Sequence, residues 1–362
     1  MRPVRVVIAG GGTGGHLYPG IAVARELLAR RPDAVVTFAG TSRGIESRVV
    51  PREGFQLDLL RSAGLKGKSV TALLKGIGLL PLSMLDAWRI LSRRAPDLVI
   101  GVGGYSSGPV LLAAVGRRMP TLVLEQNAVP GLTNRLLARL VSAAAVTFDS
   151  TASFFGRRGF VAGNPVRPEF FTTEADRAGP VGGPPRVLIF GGSQGAHAIN
   201  MAMVEAAPRL AAAGGVDLTH QTGERDLDVV RRAYEQAGLA ARVEPFLFTM
   251  DREMKRADVI VCRAGATTIA ELTAIGRAAI LIPLPTAADD HQRRNAEVLA
   301  EAGAAELIRQ NDATGALLAD RILELTRNSA RRQALAEAAR RFAKPDAAKT
   351  IVDRALQLAA AS

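Results

Sequence analysis

The first residues in this chain whose types and spacing imply chemistry are Gly10-Gly11-Gly12-Thr13-Gly14-Gly15-His16. They follow the β-branched run Arg5-Val6-Val7-Ile8-Ala9 and precede a helical stripe of Ile21, Ala24, Leu27 and Leu28. A strand, a glycine loop and a helix N-terminus make an anion site, because the N–H groups of the first helical turn lack partners and point outward. Glycine lets the backbone approach an oxygen-rich ligand with no Cβ in the way.

Three further loops have the same character. Gly103-Gly104-Tyr105-Ser106-Ser107-Gly108 follows a strand at 98–102, and Gly191-Gly192-Ser193-Gln194-Gly195 follows Val187–Phe190. Arg263-Ala264-Gly265-Ala266-Thr267-Thr268 follows Val259–Cys262 and runs into a helix carrying Glu271. Ligands of doubly wound sheets bind outside such strand ends, so two helix N-termini are expected to face one diphosphate in the second half of the chain. One turn into its helix, Glu271 can accept two hydrogen bonds from a ribose diol. It can equally be a solvated acid that favours the positive helix end.

The elements that must position these loops repeat. Shifted by 181 residues, Arg5-Val6-Val7-Ile8-Ala9-Gly10-Gly11 overlays Arg186-Val187-Leu188-Ile189-Phe190-Gly191-Gly192 without a gap, Gly14 falls on Gly195 and His16 on His197. This reads as two copies of one βα unit, each opening its own domain. Strands at 34–40, 56–60, 97–102, 121–125, 143–148 and 160–162 alternate with helices at 18–30, 45–52, 70–94, 109–117 and 131–140. The second half adds strands at 187–190, 217–221, 242–245, 259–262 and 279–283. Apolar strands alternating with helices imply parallel sheets covered on both faces. Thr172 to Pro185 reads as a linker, and the amphipathic helix from Pro345 to Ala361 is expected to return to the first domain.

A chain of 362 residues suits two α/β domains, and 48% hydrophobic content fits a globular protein. The single cysteine, Cys262, excludes an internal disulfide and a cysteine-rich zinc site. A net charge of +12 implies an anionic partner. With aromatics at 4% and no basic stretch interleaved with them, nucleic acid is disfavoured. No segment has the pattern of a transmembrane helix, and the apolar run at the N-terminus is too short for a signal peptide, so a cytoplasmic location is expected. Gly10, Gly12 and Gly15 also satisfy a dinucleotide fingerprint, but the second strand ends Phe38-Ala39-Gly40-Thr41-Ser42-Arg43 without the expected acid. Arg43 suits a 2′-phosphate and keeps an NADP-dependent oxidoreductase open.

The motifs taken together resemble the MurG family of glycosyltransferases. The resemblance is carried by Gly11 to Pro19, Gly103-Gly104-Tyr105, Glu125-Gln126-Asn127, Gly163-Asn164-Pro165-Val166-Arg167, Gly191 to Gly195, Cys262 to Thr268 with Glu271, and Asp290-His291-Gln292 with Asn295-Ala296. It implies a GT-B fold, two Rossmann-like domains whose parallel sheets face each other across a cleft. Domain bounds of 1–163 with a returning helix at about 344–362, and 164–343, are expected. It implies inverting transfer of N-acetylglucosamine from UDP-GlcNAc to the C4 hydroxyl of the muramoyl sugar of lipid I, giving lipid II for peptidoglycan synthesis. No cofactor and no metal are implied. A related transferase with another acceptor is the nearest alternative.

The same resemblance assigns roles. Glu271, counted with His16 among the catalytic residues, would take the ribose, the backbone near Leu247 the uracil, and Ser193 with Ala266, Thr267 and Thr268 the diphosphate, with Ile269 and Ala270 as further substrate-binding positions. Gln292 and Asn127 would recognise the sugar hydroxyls, and Arg167 would serve the donor phosphates. Thr13, Gly14 and Gly15 would face the acceptor diphosphate or the donor sugar, and Tyr105 is a further substrate-binding position. His16 is the candidate general base, since a base poised near neutral pH suits deprotonation of an attacking hydroxyl. Its plainer role is to orient the loop. His197 matches no role. A lipid-linked acceptor implies docking on an anionic membrane surface, at the cytoplasmic face of the bacterial inner membrane, and contact with division or elongation proteins. Leu73, Leu74, Ile77, Leu80, Met84, Leu85 and Trp88, beside Lys66, Lys68, Lys75, Arg89, Arg93 and Arg94, suit that surface.

Overall fold

The computed structural model describes residues 2–62, 78–171, 183–192 and 195–361. The chain divides into two compact units, Met1–Val166 with Lys344–Ser362, and Arg167–Ala343. The proposed linker at 172–185 falls mostly outside the described residues.

In the first unit β1 (Arg5–Gly10), β2 (Val35–Gly40), β3 (Gln56–Leu59), β4 (Leu98–Gly103), β5 (Thr121–Glu125), β6 (Ala143–Val146) and β7 (Gly159–Val161) form one sheet. Its order is β3-β2-β1-β4-β5-β6-β7, and every pairing is parallel. Successive side chains of β1 alternate between two cores. Val6 and Ile8 pack with Leu17, Ile21 and Leu27 of the helix Gly14–Arg30. Val7 and Ala9 pack with Leu91, Val110 and Leu111 of the helices Leu80–Arg94 and Ser107–Gly116. Each large buried side chain contributes about 1.5–3 kcal/mol, against about 1 kcal/mol for a single loop hydrogen bond, so the sheet is the rigid frame for the loops.

The second unit repeats the plan with β8 (Arg186–Phe190), β9 (Asp217–Gln221), β10 (Ala241–Glu244), β11 (Val259–Cys262), β12 (Ala278–Leu281) and β13 (Glu306–Leu307). Its order is β10-β9-β8-β11-β12-β13, again all parallel. The repeat extends to side chains. Asp97 before β4 accepts the Arg5 N–H at 2.9 Å, and Asp258 before β11 accepts the Arg186 N–H at 2.8 Å. The helices that follow β1 and β8, Gly14–Arg30 and His197–Ala213, each have 17 residues.

Two details depart from the sequence reading, and a third is described only in part. The first helix starts at Gly14 rather than Tyr18, with Thr13 extended before it (φ −134°, ψ 159°). Two glycines of poor helix propensity hide that turn. The edge strand β13 has only two residues and leaves no periodic trace. The helix read at 70–94 is found as Leu80–Arg94, and residues 70–77 lie outside the described residues. The last helix, Ala347–Ala360, buries Ile351, Val352 and Ala355 in the core of the first unit. The chain leaves and re-enters that unit side by side: a Cβ on Gly163 (φ +87°) would lie 2.4 Å from the Lys344 Cβ.

Candidate active site

In the first unit two glycine loops interlock at the C-terminal ends of β1 and β4. A Cβ on Gly10 would stand 2.5 Å from the Gly103 carbonyl oxygen, and one on Gly104 would stand 2.4 Å from that of Gly11. The Tyr105 ring lies over Gly12 and the Tyr18 ring over Gly14. His16 packs its ring against Gly103. Its Nδ1 is 3.2 Å from the Thr13 hydroxyl, which caps no helical N–H. The loop is not the row of bare amides that its glycines imply. The Gly12 N–H donates to Glu46 Oε2 at 2.8 Å, and the Gly11 N–H to the Gly103 carbonyl at 3.4 Å. A buried carboxylate from the chain itself has taken the first half of the loop.

A second buried carboxylate shapes the loop after β5. Glu125 accepts from the Asn127 N–H (3.1 Å), the Gly131 N–H (2.9 Å) and the Asn134 amide (2.9 Å). Burial raises its carboxyl, while these hydrogen bonds oppose the rise. The side-chain amide of Asn127 also donates to Glu125, at 3.3 Å. Asn127 is thus held by the loop rather than swinging freely, and its place is set by a residue that the sequence presents only as its neighbour.

In the second unit Glu271 lies one turn into the helix Ala266–Ile275. Burial pushes its carboxyl up to about 7, and the positive charge of Arg167 holds it from going higher. Arg167 therefore shares the field of Glu271, and its guanidinium stacks on Phe170 at 4.9 Å. Thr267 and Thr268 are part-buried at the helix start, whereas Ile269 and Ala270 turn their side chains into the core. Any part those two play runs through the backbone. Buried Arg263 donates to the carbonyls of Ile282 (3.0 Å) and Pro283 (3.2 Å) and to Gln310 Oε1 (2.7 Å), tying the loops after β11 and β12 together. Gln292 Oε1 accepts the Leu284 N–H at 3.0 Å, and Asn295 donates to the Ala264 carbonyl at 3.3 Å. Leu247 is buried between exposed Phe246 and Phe248, whose rings meet edge to face at 5.0 Å. Ser193 lies outside the described residues.

His197 does not reproduce the setting of His16. It is the first residue of its helix, and its Nδ1 is 3.0 Å from both oxygens of Asp226. Asp226 also accepts from Asn200 (2.8 Å), whose Oδ1 is 3.1 Å from Nε2 of buried His220. The Tyr234 hydroxyl closes the chain at 2.7 Å from His220 Nδ1. Asn200 Oδ1 only accepts, so His220 carries its proton on Nε2 and accepts from Tyr234.

Models of two glycosyltransferase family 28 domains match the chain, the N-terminal one over residues 6–146 and the C-terminal one over 186–351. An enzyme of Anaeromyxobacter sp. (strain K) is 48% identical over 98% of this chain and 93% of its own. One from Pelobacter propionicus is 46% identical over 98% and 99%. Both are named UDP-N-acetylglucosamine–N-acetylmuramyl-(pentapeptide) pyrophosphoryl-undecaprenol N-acetylglucosamine transferase. The crystal structure of Acinetobacter baumannii MurG superposes with a TM-score of 0.82 at 32% identity, covering 98% of this chain and all of the other. The resemblance read from the motifs stands, and so does the pair of parallel-sheet domains expected of a GT-B fold. The chain belongs to this MurG family within glycosyltransferase family 28.

Proposed function

We propose that the chain transfers N-acetylglucosamine from UDP-GlcNAc to the C4 hydroxyl of the muramoyl sugar of lipid I, with inversion, to form lipid II. The observation that carries this is likeness over 98% of the chain to transferases so named, with their two sheet units intact. In this reading the first unit serves the acceptor and the second the donor. With Nδ1–H donating to Thr13 Oγ1, His16 takes the C4 proton on Nε2 as that oxygen attacks the anomeric carbon. The bond from that carbon to the UDP oxygen breaks, and UDP leaves with the added charge. The N-terminus of the helix Ala266–Ile275 and Arg167 are fixed positive ends that stabilise it without reorganising. Ionised Glu271 accepts from the ribose diol. Gln292, its oxygen already engaged by Leu284, offers its NH₂ to sugar hydroxyls, with Asn127 the second candidate. The dinucleotide alternative loses support, because Glu46 occupies the Gly12 amide where a pyrophosphate would sit.

A lipid-borne acceptor asks for a membrane-docking surface. Among the described residues no helix is long and apolar enough to cross a membrane. Three neighbouring helices of the first unit expose apolar side chains instead: Leu82, Leu85 and Trp88; Leu112; and Leu132 and Leu136, with Leu140 just beyond. Leu136 is 71% exposed, and Arg117 lies over the Trp88 ring. Arg89 lies on the first of these helices, and Arg118 and Arg139 lie in the turns just beyond the other two. Apolar side chains flanked by arginine fit peripheral docking on anionic lipid at the cytoplasmic face of the plasma membrane. Lys66, Lys68, Leu73, Leu74, Lys75 and Ile77 lie outside the described residues. The test is transfer of labelled GlcNAc to a lipid I analogue by wild type, His16→Ala and Glu271→Ala. Wild type should transfer and both variants should be crippled; absence of transfer by wild type refutes the function, and full activity in His16→Ala removes the base.

A further inference from the structure

We propose that Glu46 is a positioning residue for the transfer, a built-in anion that locks the turn carrying Thr13 and His16. The proposal rests on the role given to His16 above. Glu46 is fully buried, and among the described residues its partners are three hydrogen-bond donors and no cation. Oε1 accepts the Thr41 N–H and the Thr41 hydroxyl, each at 2.9 Å. Oε2 accepts the Gly12 N–H at 2.8 Å. Hydrogen bonds to an ionised group are about twice as strong as neutral ones, so this carboxylate is a stiff strut.

Glu46 fills the space that three neighbouring glycines leave. A Cβ on Gly11 would lie 2.4 Å from the Glu46 Cδ, one on Gly40 2.6 Å from Cγ, and one on Gly44 1.9 Å from Oε2. Gly40 and Gly44 do not adopt left-handed backbone, so conformation does not demand glycine there. Space for the carboxylate does. From Thr41 the contacts run through Glu46 to Gly12, then along the chain to Thr13, whose hydroxyl meets His16. The same carboxylate repels any phosphate from the Gly12 amide. An anionic ligand is thereby confined to the second half of the loop, next to the imidazole.

Glu46→Gln keeps the shape but sets an NH₂ donor against an N–H donor. Thr41→Val removes one donor and leaves the charge. In steady-state transfer well below the unfolding temperature, Glu46→Gln should lower kcat about tenfold or more, with the UDP-GlcNAc KM within about twofold of wild type. The limb of the pH–rate profile that reports His16 should shift. Thr41→Val should move kcat the same way by less, and it decides the matter if Glu46→Gln does not fold. Wild-type kcat and an unmoved pH profile in the folded variant overturn the proposal, whatever happens to Tm. His16→Ala, assayed alongside, separates the two ideas. If it is fully active, the base reading fails; if it is inactive while Glu46→Gln is fully active, only the strut fails.

Discussion

UDP-GlcNAc should bind more weakly as pH falls below 7, and Glu271→Gln should abolish that slope. Burial lifts the Glu271 carboxyl to about 7 in the empty protein. A ribose diol donates two hydrogen bonds, so the nucleotide selects the ionised form, and below that pH binding must first remove a proton. The ionised fraction is about three quarters at pH 7.5 and about one tenth at pH 6, so affinity should drop about eightfold, ~1.2 kcal/mol. Glu271→Gln, always neutral, should bind at the weak level throughout. Titration calorimetry with UDP-GlcNAc is the assay, because the phosphates of this diester do not titrate in the range. Repeating it in two buffers of different ionisation enthalpy counts the proton released at low pH. A flat wild-type profile, or a slope that survives in Glu271→Gln, would refute the reasoning.

Gly103→Ala should cost about a hundredfold in kcat with UDP-GlcNAc affinity unchanged, because φ is +97° there and the new Cβ would press within 2.6 Å of the His16 ring; near-normal kcat counts against the interlocked loops. His220, pushed down to about 3 by burial, stays neutral when folded while the unfolded chain takes up a proton near 6.5. Stability is therefore complete above that value and lost as pH drops, by about 2 kcal/mol between pH 7 and pH 5; urea midpoints should show this slope in wild type, and its persistence in His220→Gln would exclude the assignment. Trp88→Glu with Leu136→Glu should reduce co-sedimentation with anionic vesicles several-fold while nucleotide binding is kept, both side chains being exposed; undiminished vesicle binding rules out this surface.

The parts of the site legible in the sequence are those whose cause is local. Val6 to Ile8 declares a buried strand, Gly10 to Gly15 a loop without side chains, and the step to Leu27 a helix, each through neighbours within one or two turns. The carboxylates that hold the loops are a different matter. Glu46 starts the short helix Glu46–Arg52, where an acid reads as favouring the positive helix end, and only the β1–β2 pairing brings it beside Gly12, 34 residues away. Even then the signal lay in what surrounds it, since Gly11, Gly40 and Gly44 are scattered along the chain and look like ordinary turn residues. Leu132, Leu136 and Leu140 show a second limit: their four-residue spacing marks one helix face, but periodicity does not say whether that face meets a core or the surroundings.

His16 and His197 make the same point within the internal repeat. The shift that superimposes their strands also superimposes the two histidines, yet one is the third residue of its helix and the other the first. That offset turns one imidazole to a neutral hydroxyl and the other to the Asp226 carboxylate. The Thr13 hydroxyl orients one ring inside the loop packed against Gly103, whereas Asp226 ties the other into the Asn200–His220–Tyr234 network behind its own helix. Duplication preserved the frame and its anion-directed loops. The side chains behind each loop gave the two histidines different surroundings, and His16, on the interlocked glycine loops of the unit proposed to serve the acceptor, is the one expected to remove the acceptor proton.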